Sequence, residues 1–472
     1  MKKILFPILT ITFLLTACGS STSSSVDSSK EDSSSSETTS SNQSSSVTSS
    51  SSKPEYTSNP MADPNVSRQY YLNHIGDIYS VWKQYRGDGQ TIAVIDEGFN
   101  GKHEDFTFED GTSKVSPESA FFVTTGDTTS VDVGIDKVDA GEASHGTFCA
   151  GVAAAGINGK GVVGIAPNAK LLLLKTDLKP KSIAKAMKYA ADHGATVISI
   201  SIGSYSDYDG DLKNDGSKLT TVFNEPVKYC YDRNIPVISA AGNGGGSARA
   251  TEYTYPGAAD RVIGAGGLAA NSTSDVWEGS SYNSSKLYQF VDVLAPADGM
   301  YGCCNYGGKK YDGGWKGTSF AAPQVAGMAA LYFQKNPGAT VKQFEDALYA
   351  SSHSIDNSGH YGYGRVDVAR LLDVNNTDPV KVTIKANWSS VYVYAWNLEK
   401  EKEQKAWPGT KLTKANNEYT ITLKPSEFDS IVINDGSNNK SCDLYVSSFI
   451  YGKSYSLTSS TKENDFYIGK YL

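Results

Sequence analysis

The chain has 472 residues, enough for two to four domains at about 100–200 residues each, and six cysteines are too few to hold so long a chain as a disulfide framework. Lys and Arg number 43 against 51 Asp and Glu, a formal charge of −8, so the basic stripe that a phosphate backbone demands is missing and nucleic acid is not an expected partner. Tyrosine outnumbers phenylalanine 29 to 16, a bias that suits exposed stacking surfaces as well as interior packing.

Lys2 and Lys3 precede an apolar run, Ile4 to Leu15, of signal-peptide length, too short to remain as a spanning helix. It ends in Leu15-Thr16-Ala17-Cys18, which resembles the bacterial lipobox. The resemblance implies removal of residues 1–17 and a lipid on Cys18 that anchors the chain at the extracellular face of the cytoplasmic membrane. Residues 18–58 are dominated by serine and cannot bury enough apolar surface to offset chain entropy, so they are expected to act as a flexible spacer. Folded structure is expected from about Asn59.

Residues 59–372 alternate short apolar runs with helical stretches. The runs Thr91–Asp96, Leu171–Lys175, Thr196–Ile202, Pro236–Ala241, Val262–Ala265 and Val291–Ala295 fit strands buried on both faces. Between them, Ser182–His193 places Ile183, Met187 and Ala190 on one side and is stopped by Gly194. The expected fold is α/β, a mostly parallel sheet flanked by helices, with ligands bound beyond the carboxyl ends of the strands. Three segments stand at such places. Asp96 ends an apolar strand with no cation beside it and needs hydrogen-bonding partners there. His145 stands in Ser144-His-Gly-Thr-Phe-Cys149, and Ser319 in Gly317-Thr-Ser-Phe-Ala-Ala-Pro323. Pro323 fits only if the serine opens a helix, where the first N–H groups have no partner and can face an anion.

Taken singly, a strand-end Asp, a helix-start Ser and a His beside Gly are as readily a cap, an N-cap and a core residue. Together, and in this order, Asp96, His145 and Ser319 resemble the subtilisin family of serine proteases. Ser239-Ala-Ala-Gly-Asn243 is similar to the family's oxyanion segment, Ser201-Ile202-Gly203 to its substrate-lining strand, Tyr255-Pro256-Gly257 to its cis-proline turn and Tyr361–Asp367 to its closing segment. The resemblance implies a peptidase whose substrates are proteins and peptides and whose chemistry needs no cofactor: Ser319 attacks, His145 carries the proton, Asp96 orients the imidazole, and Asn243 with the Ser319 backbone N–H holds the oxyanion. Substrate is expected to pair with Ser201, Ile202 and Gly203 as an added strand. Ala241, Gly242 and Thr254 are expected to line an open, uncharged pocket for apolar or aromatic side chains.

Cys149 falls one helical turn after His145, which puts its thiol under the imidazole. Family members with a cysteine here imply sensitivity to mercurials, and a small buried hydrophobe is the other reading. Cys230 is expected to be buried, a bridge between adjacent Cys303 and Cys304 would be strained, and no pairing follows from the sequence. The stretch between the Ser-rich tract and Thr91 is shorter than the family's inhibitory propeptide, so folding control is expected to differ. Structural calcium is an open expectation. Asp207, Asp209 and Asp211 alternate but lack the Gly and Glu that an EF-hand requires. Asp127, Asp132, Asp136, Asp139 and Glu142 form a second acidic stretch, and a solvated loop is the alternative for both.

Residues 373–380 read as a linker, and 381–472 as an all-β sandwich of short alternating strands, among them Val380–Ala386, Ser390–Ala395, Tyr419–Leu423 and Ser430–Asn434. Tyr392, Tyr394 and Trp396 share one strand face, which is either half of a core or a platform. Val391–Tyr394, Ala406-Trp-Pro-Gly-Thr410 and Val432–Gly436 with Asp443-Leu444 resemble the family 26 starch-binding modules. That resemblance implies a platform of Tyr392, Tyr394 and Trp407 for α-glucan, with Lys440 where relatives carry glutamine. The sequence thus reads as a lipid-anchored, cell-surface serine endopeptidase tethered to starch. The alternative is a non-catalytic starch-binding adhesin on a protease-like scaffold. A glycosidase would need two facing carboxylates, which no recognised segment supplies.

Overall fold

The computed structural model describes residues 56–142, 144–206, 219–284, 289–356, 358–375, 377–397, 402–463 and 466–472. The leader, Cys18, the Ser-rich tract and the loop with Asp207, Asp209 and Asp211 lie outside the described residues.

Eight strands form the central sheet, from edge to edge Val293–Pro296, Val262–Leu268, Val237–Ala240, Val197–Ile200, Thr91–Asp96, Lys170–Thr176, Ala120–Thr125 and Thr128–Val133. The first seven pair in parallel, and only the last, a hairpin partner of Ala120–Thr125, is antiparallel. The apolar runs are buried along their length because helices cover both faces. His145–Ala154 and Ala321–Lys335 pack on one face, where Phe148, Val152, Val325 and Leu331 join a single core. Pro180–Asp192 and Leu219–Tyr231 pack on the other, through Ile183, Met187, Phe223, Val227 and the buried Cys230. The first of these starts two residues before the stretch marked by its apolar spacing, because Pro180 occupies its opening turn.

Thr91–Asp96 has Lys170–Thr176 on one side and Val197–Ile200 on the other. The chain fills the sheet on one side of this strand before crossing to build the other. The carboxyl ends of Thr91–Asp96 and Val197–Ile200 therefore flank the point where strand order reverses, and a crevice opens there. The His145 helix is pressed onto that end: a Cβ on Gly146 would lie 2.3 Å from the Gly98 carbonyl and 2.9 Å from Asp96 Cβ, so only glycine permits the approach.

The C-terminal region is the expected β module, with one refinement. Its two sheets close over Val382, Ile384, Val393, Ile431, Ile433 and Phe449, but Val380–Lys385 pairs with Ser454–Glu463 in parallel, so the sandwich is not wholly antiparallel. Nor does the module hang from an extended linker. Val374 N donates to Ala369 O and Lys335 Nζ to Leu372 O, and Tyr445 enters the same core as Trp82 and Ile78. Polar contacts cross as well. Ser447 Oγ donates to Asp77, Tyr451 OH to Tyr79 O (2.9 Å), Asn73 Nδ2 to Asp443 O (3.2 Å) and Ser67 Oγ to Gly469 O (2.7 Å). Residues 373–380 read as a linker, yet Tyr445 and the partly buried Tyr451, drawn from far along the chain, pack the module against the protease. Among the described residues no helix is long and apolar enough to cross a membrane.

Candidate active site

Asp96 ends its strand fully buried, and its Oδ1 accepts from His145 Nδ1 and from Glu97 N, both at 2.8 Å. Both serve Oδ1 of this buried carboxylate, while its Oδ2 accepts no hydrogen bond among the described residues. His145 opens its helix and stays partly exposed to the crevice, its ring tilted against Phe320 at 5.8 Å. Burial alone would lower its pKa. The charge of Asp96 and the hydrogen bond that the imidazole donates to it outweigh that effect, with a further push from Glu97, and hold the imidazole above its ordinary 6.5.

Ser319 lies in a single 3₁₀ turn, Thr318–Phe320, that leads into Ala321–Lys335, so Pro323 falls in the first turn of the helix as its missing N–H requires. Its hydroxyl donates to Ser201 O at 3.0 Å, and its carbonyl accepts from Ser201 Oγ at 2.7 Å and Cys149 Sγ at 3.5 Å. A hydroxyl has one proton, and in this rotamer it is directed to Ser201 and not to His145. Rotation about χ1 of Ser319 is the movement that would redirect it, and such hydrogen bonds commonly tighten only when substrate is bound. Asn243 is oriented by its neighbour: Oδ1 accepts from Thr318 N (2.9 Å) and Thr318 Oγ1 (2.8 Å), which leaves the amide NH₂ to face the crevice. Its backbone N–H donates to Tyr205 OH at 2.6 Å.

His145, Ser319 and Asn243 share one cleft of about 510 Å³ with Ser201, Ile202, Gly203, Gly242 and Thr254, and Asp96 lies buried behind His145. The peptide bond Tyr255-Pro256 is cis, as the turn was expected to be. Gly242 has φ +111°, and a Cβ on it would lie 2.3 Å from Thr254 Oγ1. Ala241 corrects the expectation. It is fully buried in the opposite core, beside Tyr253, and Ala240 lines the cleft in its place, because successive residues of an extended segment face opposite sides. The sequence reading also missed Glu97, Leu178, Tyr205 and Thr318, all on the cleft wall. Glu97 and Thr318 adjoin residues already singled out and were legible from that. Leu178 and Tyr205 carry no sequence signal, because loop geometry alone brings them there.

Two clusters among the described residues bring Asp, His and Cys ligand atoms within 4.8 Å of one another. One is Asp96, His145 and Cys149, which places the Cys149 thiol beneath the imidazole as the helical spacing suggested. The other is His103, Asp105 and Cys303, where the imidazole is already engaged by Lys310 O and Asp105 N. The acidic stretch at 127–142 does not fit a calcium cage. Asp127, Asp132 and Asp136 pair with Lys181, Lys137 and Lys102 at 2.7–3.1 Å, and Asp139 accepts from Gly141 N. Lys102 and Lys181, distant in the chain, and Lys137 within the stretch itself pair with three of its five acids.

On the module, Tyr392, Tyr394 and Trp396 line the outer face of one strand while Val393, Ala395 and Asn397 face inward. Trp407 is 50% exposed and meets Tyr394 edge-on at 5.6 Å, and Trp396 stacks on Tyr394 at 5.5 Å. Buried Asn434 donates to Pro408 O (3.0 Å), which ties the Trp407 turn to the strand. Tyr392, Tyr394 and Trp396 stand outside the module's core, so this strand face is not half of that core. Lys440 Nζ lies over the Phe466 ring.

The sequence profile of the subtilase family matches residues 87–364, and that of starch-binding module 26 matches residues 382–445. Subtilisin DY of Bacillus licheniformis is 30% identical over 289 residues, 60% of this chain and 91% of that protein. Thermitase of Thermoactinomyces vulgaris is 30% identical over 324 residues, 67% of this chain and 99% of that protein. Among solved structures, the epidermin leader peptide processing serine protease of Staphylococcus aureus superposes with a TM-score of 0.53 at 25% identity, covering 65% of this chain and 80% of that one. A protease of Pseudoalteromonas arctica gives 0.53 at 23% identity over 66% and 99%, a likeness of fold.

Proposed function

The chain belongs to the subtilase family, a subtilisin-type serine endopeptidase that carries a starch-binding module, and we propose that Asp96, His145 and Ser319 are its catalytic triad. The observation that carries this reading is the 2.8 Å bond from His145 Nδ1 to a carboxylate with no solvent exposure, in a cleft shared with Ser319 and Asn243. With Nδ1–H committed to Asp96, the imidazole keeps Nε2 as the free base, the tautomer that general-base catalysis requires.

Ser319 Oγ adds to the peptide carbonyl carbon while its proton passes to His145 Nε2. The carbonyl oxygen takes the negative charge, and the Asn243 amide and the Ser319 N–H donate to it. As the tetrahedral adduct collapses, the C–N bond breaks and His145 returns its proton to the leaving amine. The acyl ester on Ser319 is then hydrolysed by water activated in the same way. Substrate lies extended along Ser201–Gly203, with one side chain in the pocket formed by Ala240, Gly242 and Thr254.

The glycan ligand is α-glucan stacked on Tyr392, Tyr394 and Trp407. A lipid on Cys18 anchors the protein at the extracellular face of the membrane, and Asp207, Asp209 and Asp211 are the remaining candidates for structural calcium. A fluorophosphonate tests the catalytic part: it should label the wild-type protein and not Ser319→Ala, and equal labelling of both, or of neither, refutes the assignment. Sedimentation with insoluble starch tests the platform, and metabolic labelling with palmitate, compared with Cys18→Ala, tests the anchor.

A further inference from the structure

Asn243 stands on a segment that leaves the central sheet. Ala241 N still donates to Ala265 O (2.9 Å), and Gly245 N donates to Gly279 O (3.0 Å), but the three N–H groups between them are taken by side-chain hydroxyls. Gly242 N donates to Thr318 Oγ1 (3.1 Å), Asn243 N to Tyr205 OH (2.6 Å) and Gly244 N to Ser281 Oγ (3.0 Å). Backbone donors that have left a strand ladder need such partners. Here the partners also act as pins, because the segment reads Gly242-Asn-Gly-Gly-Gly246 and glycines supply no stiffness of their own.

The pin on Asn243 itself comes from just beyond Ser201–Gly203. The chain continues there as Ser204–Ser206, which pairs antiparallel with Tyr253–Tyr255 and sets Tyr205 opposite Thr254 of the pocket. Gly203 permits the approach, since a Cβ on it would lie 2.5 Å from Tyr255 O. The Arg249 guanidinium lies over the Tyr205 ring, 5.4 Å from its centre. Asn243 is thereby held at two points. Thr318 engages its side-chain Oδ1 and turns the NH₂ to the cleft, and Tyr205 engages the backbone from which that side chain springs.

We infer that Tyr205 is a positioning residue of the peptidase reaction, its hydroxyl holding the Asn243 backbone so that the amide already stands where the oxyanion forms. The hydroxyl acts through Asn243 and not on the substrate. Asn243 is exposed, so water can satisfy its N–H when the phenol is absent, but water does not fix its place. A donor aimed at a developing charge loses much of its effect when displaced by about 1 Å. This inference rests on the proteolytic reading above and adds a residue to its machinery.

Tyr205→Phe in the whole protein removes the hydroxyl alone and keeps the ring under Arg249. On a peptide amide substrate, kcat should fall about fivefold, the worth of one ordinary hydrogen bond. KM should stay unchanged, because the Asn243 amide meets a full oxygen charge only in the transition state. A peptide boronate, which takes up Ser319 Oγ as a tetrahedral anion, should bind more weakly by the same factor. In Asn243→Ala no amide remains to be aimed, so adding Tyr205→Phe there should change kcat by a factor near one. Rates are normalised to the sites that a fluorophosphonate labels at completion, so any misfolded fraction drops out. The inference is overturned by a kcat equal to wild type in Tyr205→Phe, by a loss confined to KM, or by an equal loss with and without the Asn243 amide, and each of these leaves the protease standing. Wild-type protein that takes no label and cleaves no peptide overturns both.

Discussion

Ser447→Ala tests whether module and protease are one cooperative structure. Asp77 is partly buried at the start of the Ile78–Trp82 helix, where its side chain accepts from Ser80 N (3.0 Å) and Ser80 Oγ (2.6 Å) within the protease and from Ser447 Oγ of the module. Removing one hydrogen bond to a partly buried acid costs about 2 kcal/mol. If roughly 400 residues unfold together at about 2 cal/mol/K per residue, that loss lowers Tm by about 2 °C. Burial holds the Asp77 carboxyl above its ordinary 3.8, so the folded state binds its proton more tightly than the unfolded state. Stability from this group is full below 3.8 and is lost as pH rises through the folded value. Ser447 eases ionisation, so Ser447→Ala should cost more at pH 8 than at pH 5. The measurement is calorimetry on the Ser319→Ala background, which suppresses autolysis. One transition, shifted as a whole, is expected. Two separate transitions, with only the module's moving, would refute the claim that the docking is structural.

Other expectations concern the sites themselves. The acid limb of kcat/KM should have its midpoint above pH 6.5, because His145 must be neutral to act and Asp96 raises its pKa. Asp96→Asn should move that midpoint below 6.5, since burial, the largest effect, is then opposed only by the charge of Glu97, and should cut kcat by about 10⁴, the loss seen when a triad acid becomes an amide; a midpoint that stays in place would contradict the electrostatic account. Gly242→Ala sets a methyl against Thr254 Oγ1 at a positive φ and should raise KM steeply or stop cleavage of peptides with large side chains at the scissile residue, readable in a peptide series. Trp407→Ala removes the most exposed ring of the platform and should weaken starch binding about 10- to 100-fold, the cost of losing an aromatic anchor, with kcat/KM on soluble peptides unchanged.

The sequence by itself determined the elements and the chemistry they carry. Doubly buried strands read as unbroken apolar runs, and the Asp96, His145 and Ser319 segments are marked by flanks whose small residues and one proline admit few local structures. The alternation of Tyr392 and Tyr394 likewise fixes a shared face wherever the strand lies. Tertiary structure decided what depends on which surfaces meet. It turned Ala241 away and Ala240 inward, paired Asp127 and Asp136 of the acidic stretch with lysines from elsewhere in the chain, raised Leu178 into the cleft through a left-handed turn, and packed Tyr445 and Tyr451 against the protease beyond the linker residues. The division follows from range. A periodicity or a cap is written within a few residues, whereas a pocket wall or a docked face depends on side chains hundreds of positions apart, which become neighbours only after the chain has folded.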